Sequence, residues 1–389
     1  MRQDIPYAKQ SISDADIAAV VRALKSDYIT QGPEISAFES EVAEYCGAKY
    51  AVAVSSGTTG LYIGCQSLGL AEGDWLWTSP VTFVASANCA LSCGAQVDFV
   101  DIDPQTYNLS VSALREKLII AAKEDRLPKV VVPVHLAGQS CDMEAISGLA
   151  QEYGFHLLED ASHGIGGSYQ NRPVGNCQYS EMTVFSFHPV KIITTGEGGM
   201  VLTNSLEHFN RLSRLRTHGI TRDESLMQQK SHGPWYYEQH ELSNNYRITD
   251  IQAALGRSQF SRIDQFIQKR HEIVENYTGL LKDLPITLPW QHSDTYSSFH
   301  LYVIRLELDK LRKTHLAVFQ ELREEGIGVN LHYIPVYLQP YYKKLGFKAG
   351  LCPEAEHYYA EAISLPMFAD LTRDEQGRVA EVLQSVLSV

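Results

Sequence analysis

Long hydrophobic runs are missing from this 389-residue chain. Apolar stretches such as KVVVPVHLAG (129–138) fall well short of the roughly 20 residues a bilayer crossing needs, so no membrane segment is expected. The opening MRQDIPYAKQ has no apolar leader core. Cysteine is sparse and odd in number, seven in all, with no CxxC and no Cys/His spacing of a zinc site. Reduced thiols in the cytoplasm are the expectation. The histidines show no HExxH spacing, and His135, His156, His163, His188 and His332 are scattered, so no metal is expected. His156, inside an apparent strand, reads as a core histidine. Positive charge is also short: 33 Lys and Arg stand against 46 Asp and Glu, a formal charge of −13. That balance argues against nucleic acid or an anionic membrane as partner, though a few local donors can still capture one small anion. No repeat or low-complexity tract is present.

What is present is a rhythm. Hydrophobic content of 44% with 20% charged residues suits a globular enzyme. From about residue 50 to 205, short apolar strands (50–54, 75–79, 96–100, 129–134, 155–159, 182–187 and 199–203) alternate with helical patterns at 59–69, 83–92, 112–122 and 142–152. This predicts an α/β fold with a mostly parallel sheet sandwiched by helices. The polar, aromatic stretch 223–245 reads as a long functional loop. A helix is expected from Thr249 into the 270s, with Ile251, Leu255, Ile263 and Phe266 on its apolar face. The strand-like segments 299–306 and 326–335 then alternate with helices at 313–325 and 371–387. Two units follow: 1–254 as a large domain with an N-terminal arm, and 255–389 as a smaller α/β domain.

Three segments carry chemistry. In SSGTTGLYIG (55–64) a strand gives way, through small residues, to a helix whose free N–H groups and positive dipole end suit a phosphate. Thr58 and Thr59 are candidate hydroxyl donors. Alone, the segment also reads as an ordinary turn with a threonine cap. LLEDASHG (157–164) puts Asp160 at a strand's C-terminal end, where open α/β sheets bind ligands; a helix-capping carboxylate is the other reading. SFHPVKIITTGEGG (186–199) places one lysine, Lys191, between an aromatic run and a glycine cluster. GEGG opens like a dinucleotide fingerprint, but MVLTN after it reads as a strand rather than the helix that motif requires. Phosphate cradle, carboxylate and lysine at neighbouring strand ends together suit pyridoxal phosphate, and His163 and His188 flank the two key positions.

These segments, with TSPVTFVASANCAL, NNYRITDIQAALG and LHYIPVYLQPYY, resemble the DegT/DnrJ/EryC1/StrS sugar aminotransferases over essentially the whole chain. FHPVKIITTGEGG and the opening IPYAKQSIS look most like the branch serving pseudaminic acid biosynthesis. The resemblance implies a fold-type I enzyme using pyridoxal 5′-phosphate, L-glutamate as donor and a UDP-linked 4-keto-6-deoxy-N-acetylhexosamine as acceptor. It implies Lys191 as the Schiff-base lysine and Asp160 as partner of the ring nitrogen. Phe83 and His163 would lie beside the ring, and Gly57, Thr58 and Ser186 at the phosphate. Asn245 would reach in from the other subunit of a homodimer with shared active sites. Tyr7, the segment Asp27, Tyr28, Ile29 and Thr30, His188, and the segment Leu331, His332, Tyr333 and Ile334 would face the sugar nucleotide. Other keto-sugar substrates (a dTDP-4-keto-6-deoxyhexose or UDP-4-keto-arabinose) stay open. So does a non-catalytic sensor, while a dehydrating relative would carry histidine in place of Lys191.

Overall fold

The computed structural model describes residues 4–388. Seven strands form one sheet: β1 (Tyr50–Val54), β2 (Trp75–Thr78), β3 (Gln96–Phe99), β4 (Val130–Val132), β5 (His156–Asp160), β6 (Met182–Ser186) and β7 (Gly199–Thr203). Their order across the sheet is β1-β7-β6-β5-β4-β2-β3. β7 runs antiparallel between β1 and β6, and every other neighbouring pair is parallel. All seven strands read from the sequence are therefore found. Their near-continuous apolar runs follow from burial on both faces: Val52 and Val54 enter one core, while Ala51 and Ala53 enter another. Helices Gly57–Ser67, Ala85–Ser92, Val111–Lys123 and Met143–Tyr153 occupy the expected crossovers.

The structure departs from expectation in three places. The helix expected from Thr249 into the 270s is two helices, Asp250–Phe260 and Ile263–Leu281. At the break, the Arg262 guanidinium turns to the fully buried Asp16, 2.5 Å away. The change of direction lets the first helix pack on Asp14–Leu24 and Pro33–Cys46, and the second on Arg373–Leu387. The first helix consequently buries Ala253, Ala254 and Gly256, while Ile251 and Leu255 stay half-exposed.

The segment 326–335 is not a strand. Among the described residues it makes only single bridges, Ile327 to Ile5 and Asn330 to Ser364, and its freed backbone carries side chains toward a cleft. The smaller sheet is instead β8 (Ile286–Thr287), β9 (Tyr302–Leu306) and β10 (Ala362–Leu365), antiparallel with β9 central. The stretch 223–245 is largely irregular, as its composition suggested.

His156, the third departure, is exposed rather than buried. It is the first residue of β5, and its Nδ1 lies 2.8 Å from Glu181 Oε1. That bond raises its pKa against the opposing effect of partial burial.

Candidate active site

One end of the large sheet, where parallel strands finish, gathers the chemistry. β1, β5 and β6 end there, and β7, being antiparallel, begins there. The turn after β1 runs straight into helix Gly57–Ser67, whose N-cap Ser56 accepts from Thr59 N at 3.1 Å. The first turn holds no acidic residue, so the dipole's positive end is uncompensated, and the N–H groups of Gly57 and Thr58 are those a helix leaves without an internal partner. Thr58 faces the cleft. Thr59, the other proposed donor, does not, because its hydroxyl is held by Ser55 and Ser56 at 3.1 and 2.8 Å.

Close approach explains the glycines. A Cβ on Gly57 would come within 2.9 Å of Ser186 Cβ, and one on Gly199 within 2.6 Å of Gly57 N and Ser56 C. The last glycine of GEGG is thus needed because the start of β7 lies directly against the cradle backbone.

Asp160 closes β5, buried and aimed at the cleft. Its Oδ2 accepts from Ser86 Oγ at 2.6 Å, and its Oδ1 accepts from Ser162 Oγ and N at 2.6 and 3.1 Å. The neighbouring Glu159 pairs with His135 at 2.7 Å, so the acid pair of the sequence divides its work.

Lys191 sits in the loop joining β6 to β7. Lys191 N donates to His188 O, Thr195 N to Phe187 O, and Phe187 N to Gly198 O. Gln252 Nε2 and Thr195 Oγ1 both donate to Glu197 O. Burial lowers the Lys191 pKa to about 8 although Asp160 pulls the other way, which leaves a substantial neutral-amine fraction near physiological pH.

Around this centre lies an open cleft of about 570 Å³, within the range of small-molecule sites. Of the residues expected from sequence, Tyr7, Gly57, Thr58, Phe83, Asp160, His163, Ser186, His188, Lys191, Leu331, His332 and Tyr333 line it. Asp27, Tyr28, Ile29, Thr30, Ile334 and Asn245 do not, and all six are exposed. Sequence reasoning missed Ser86, Ser162, Asn330 and His300. Ser86, Asn330 and His300 reach the site from segments distant in sequence, with no local motif to flag them, whereas Ser162 lies two residues from Asp160 within LLEDASHG itself.

The donor set suits pyridoxal phosphate. A phosphate-sized anion matches the uncompensated helix end with the Ser186 hydroxyl beside it. A buried carboxylate, already held by two serines, suits a protonated ring nitrogen, and a desolvated amine stands within the same cleft. Phe83, 57% exposed and lining the cleft, offers a ring face that is otherwise bare.

Fold and site define a fold-type I, pyridoxal-phosphate-dependent transferase. The structure overlays that of Helicobacter pylori PseC, an aminotransferase involved in pseudaminic acid biosynthesis, with a TM-score of 0.90, 31% identity and 99% of each chain covered. Residues 10–384 match the DegT/DnrJ/EryC1/StrS aminotransferase family, and the chain belongs to it as a sugar aminotransferase. Among its relatives, the spore coat polysaccharide biosynthesis protein SpsC of Bacillus subtilis is 36% identical, with 98% of this chain and 97% of SpsC covered. The UDP-4-amino-4,6-dideoxy-N-acetyl-beta-L-altrosamine transaminase of Campylobacter jejuni is 34% identical, over 98% of this chain and 97% of its own. No helix among the described residues is long and apolar enough to cross a membrane.

Proposed function

We propose that the protein transfers the amino group of L-glutamate to C4 of a UDP-linked 4-keto-6-deoxy-N-acetylhexosamine, a step of pseudaminic acid biosynthesis. The observation that carries this reading is the convergence, in one cleft, of Lys191, Asp160 and the Gly57–Thr58 helix end with a wall made by Tyr7 and residues 330–333. The name of the Campylobacter jejuni relative supports the sugar.

Bound pyridoxal phosphate supplies an electron sink that carries nitrogen from donor to acceptor. Lys191, as a neutral amine, removes the proton from the donor's Cα and returns one, as base and then acid. Asp160, whose two oxygens accept from Ser86 and Ser162, would be the group that meets the ring nitrogen. Gly57, Thr58 and Ser186 would hold the phosphate, Phe83 and His163 would lie beside the ring, His188 would stand at the mouth, and Tyr7, Leu331, His332 and Tyr333 would meet the sugar.

The exposed segment Asp27–Thr30, together with Ile334 and Asn245, serves the partner's cleft in a homodimer. Exposure of Tyr28 (56%), Ile29 (52%) and Leu242 (85%) supports a covered face. Arg222, Lys230 and Arg247, cations suited to a diphosphate, lie on the same 220–247 stretch and outside this chain's cleft. Mixing Lys191→Ala and Asn245→Ala chains should restore part of the activity through hybrid dimers with one intact site. Verified subunit exchange without recovery would mean each chain builds its own site. We read residues 1–254 as the cofactor-binding unit and 255–389 as the smaller one, supported by the separate β8-β9-β10 sheet. Seven free cysteines suit a reducing cytoplasm.

The substrate is tested by a panel of nucleotide-linked keto sugars with mass-spectrometric detection of product. A buried polar group that bonds the N-acetyl amide is left unpaired by sugars lacking it, so kcat/KM for dTDP-4-keto-6-deoxyglucose should fall by about a hundredfold or more. Equal turnover of that competitor, or of UDP-4-keto-arabinose, overturns the choice of sugar.

A further inference from the structure

We propose that Tyr333 is the acid that protonates the carbonyl oxygen as amino nitrogen and ketone condense, and that His163 holds and activates it for this step. The proposal rests on the reading above that an amino group is exchanged with a ketone in this cleft.

The geometry begins at a backbone amide. Ala137 N donates to His163 Nδ1 at 3.2 Å, so that nitrogen carries no proton and the neutral ring has its hydrogen on Nε2. His163 Nε2 lies 3.3 Å from Tyr333 Oη. The phenolic oxygen therefore accepts from His163, and its own hydrogen is directed elsewhere. Among the described residues no other hydrogen bond engages that hydroxyl, and Tyr333 lines the cleft. Its neighbour is clamped on both sides: His332 Nδ1 bonds Ser364 Oγ at 2.8 Å, and Tyr358 Oη donates to His332 O at 2.6 Å. His163 is fixed as firmly, since Ser298 Oγ donates to its carbonyl at 2.6 Å and His300 packs against its ring at 4.3 Å.

The other ionisable groups of the cleft are committed. Both oxygens of Asp160 are taken by serines. Burial, with Lys191 nearby, holds His163, His300 and His332 well below the usual histidine range, so none is a cation near neutrality. Tyr7 shares its hydroxyl with Asn330, His188 and Glu197 are exposed at the mouth, and Lys191 is occupied at carbon. Tyr333, whose pKa is raised first by burial and then by Asp160, keeps its proton at any working pH.

The chemistry calls for such a donor. As the amine nitrogen bonds to the carbonyl carbon, the C–O π pair moves to oxygen, which takes the Tyr333 proton. The C–O bond then breaks and the oxygen leaves as water, carrying a second proton that came from the amine. The remaining amine proton returns to the phenolate. That phenolate is stabilised as it forms by the His163 Nε2–H. Release of the donor's keto acid is the same sequence reversed.

Tyr333→Phe keeps the ring and removes the hydroxyl. Two rates are compared in the holoenzyme, with an amino acid that the wild type deaminates (glutamate on the present reading) and no sugar present: exchange of the donor's α-hydrogen in D2O, and release of keto acid. Exchange reports proton movement at carbon alone and should stay within about threefold of wild type, whereas release should fall by about a hundredfold or more. Release within about fivefold of wild type overturns the proposal, as does a matched fall in both rates, which would mark Tyr333 as a wall of the cleft only. Independently, nitrogen-15 NMR of His163, in holoenzyme and after cofactor removal, should show Nδ1 unprotonated and Nε2 protonated; the opposite tautomer overturns it too. Because no sugar is present, a wrong sugar assignment shows only in the substrate panel.

Discussion

Lys191→Ala should lower turnover by about four orders of magnitude or more, because on the proposed roles it removes nucleophile, base and acid together. Among the described residues no other lysine lines the cleft. The loop that carries Lys191 is tied by its own backbone bonds and by Gln252, so the fold should survive the truncation, and a methyl group there leaves the helix end and Asp160 in place. The variant should thus still take up cofactor, now held without a covalent link and lost on dialysis. Borohydride reduction of the wild type followed by peptide mapping is the check, and a label on any lysine but Lys191 sinks the assignment. The Lys191 pKa of about 8 also means that more of the amine becomes neutral as pH rises through that value.

Asp160→Asn should retain cofactor and slow the donor half-reaction by about a thousandfold, the scale of losing one charge-stabilising contact at a reacting centre. Retention follows from the local bonds, since an amide oxygen can still accept from Ser86 or Ser162, whose hydroxyls lie 2.6 Å from the carboxylate. Electronic support does not follow, because a neutral amide cannot hold a ring nitrogen protonated. Stopped-flow absorbance with glutamate reads the half-reaction directly. A near-normal rate would remove Asp160 from this role.

How much of this was legible beforehand depended on distance along the chain. The strands of the large sheet were readable because burial on both faces leaves uniform apolar runs. That Gly57, Asp160 and Lys191 share one cleft was readable because each follows or closes a strand of the same sheet. Apart from Ser162, what escaped is long-range. Ser86 meets Asp160 from another crossover. Helix Pro33–Cys46 is held at its start by Asp250, which accepts from Gly32 N and Glu34 N. The break at Arg262 answers to Asp16, and periodicity within the helix carries no trace of that partner. Segment 326–335 alternates like a strand, yet among the described residues its neighbours offer only single bridges; Ile327 and Val329 enter the core, and the consecutive residues 330–333 all line the cleft. His156 shows the converse error: a strand position says little about burial at the strand's first residue.

The place of β1 in the sheet has a further consequence, for the order in which the molecule can be made. β1 stands at the sheet's edge, and among the described residues its ladder partner is β7, so Val54 pairs with Gly199. A chain emerging from the ribosome therefore carries the turn after β1 long before anything exists to fix it. Closing so long a loop is slow and entropically unfavourable until the intervening strands have assembled. Residues through Thr203 must be synthesised before the turn after β1, the end of β5 and the Lys191 loop can meet, so cofactor capture belongs to the last stage of folding and apolar β1 depends until then on protection from aggregation.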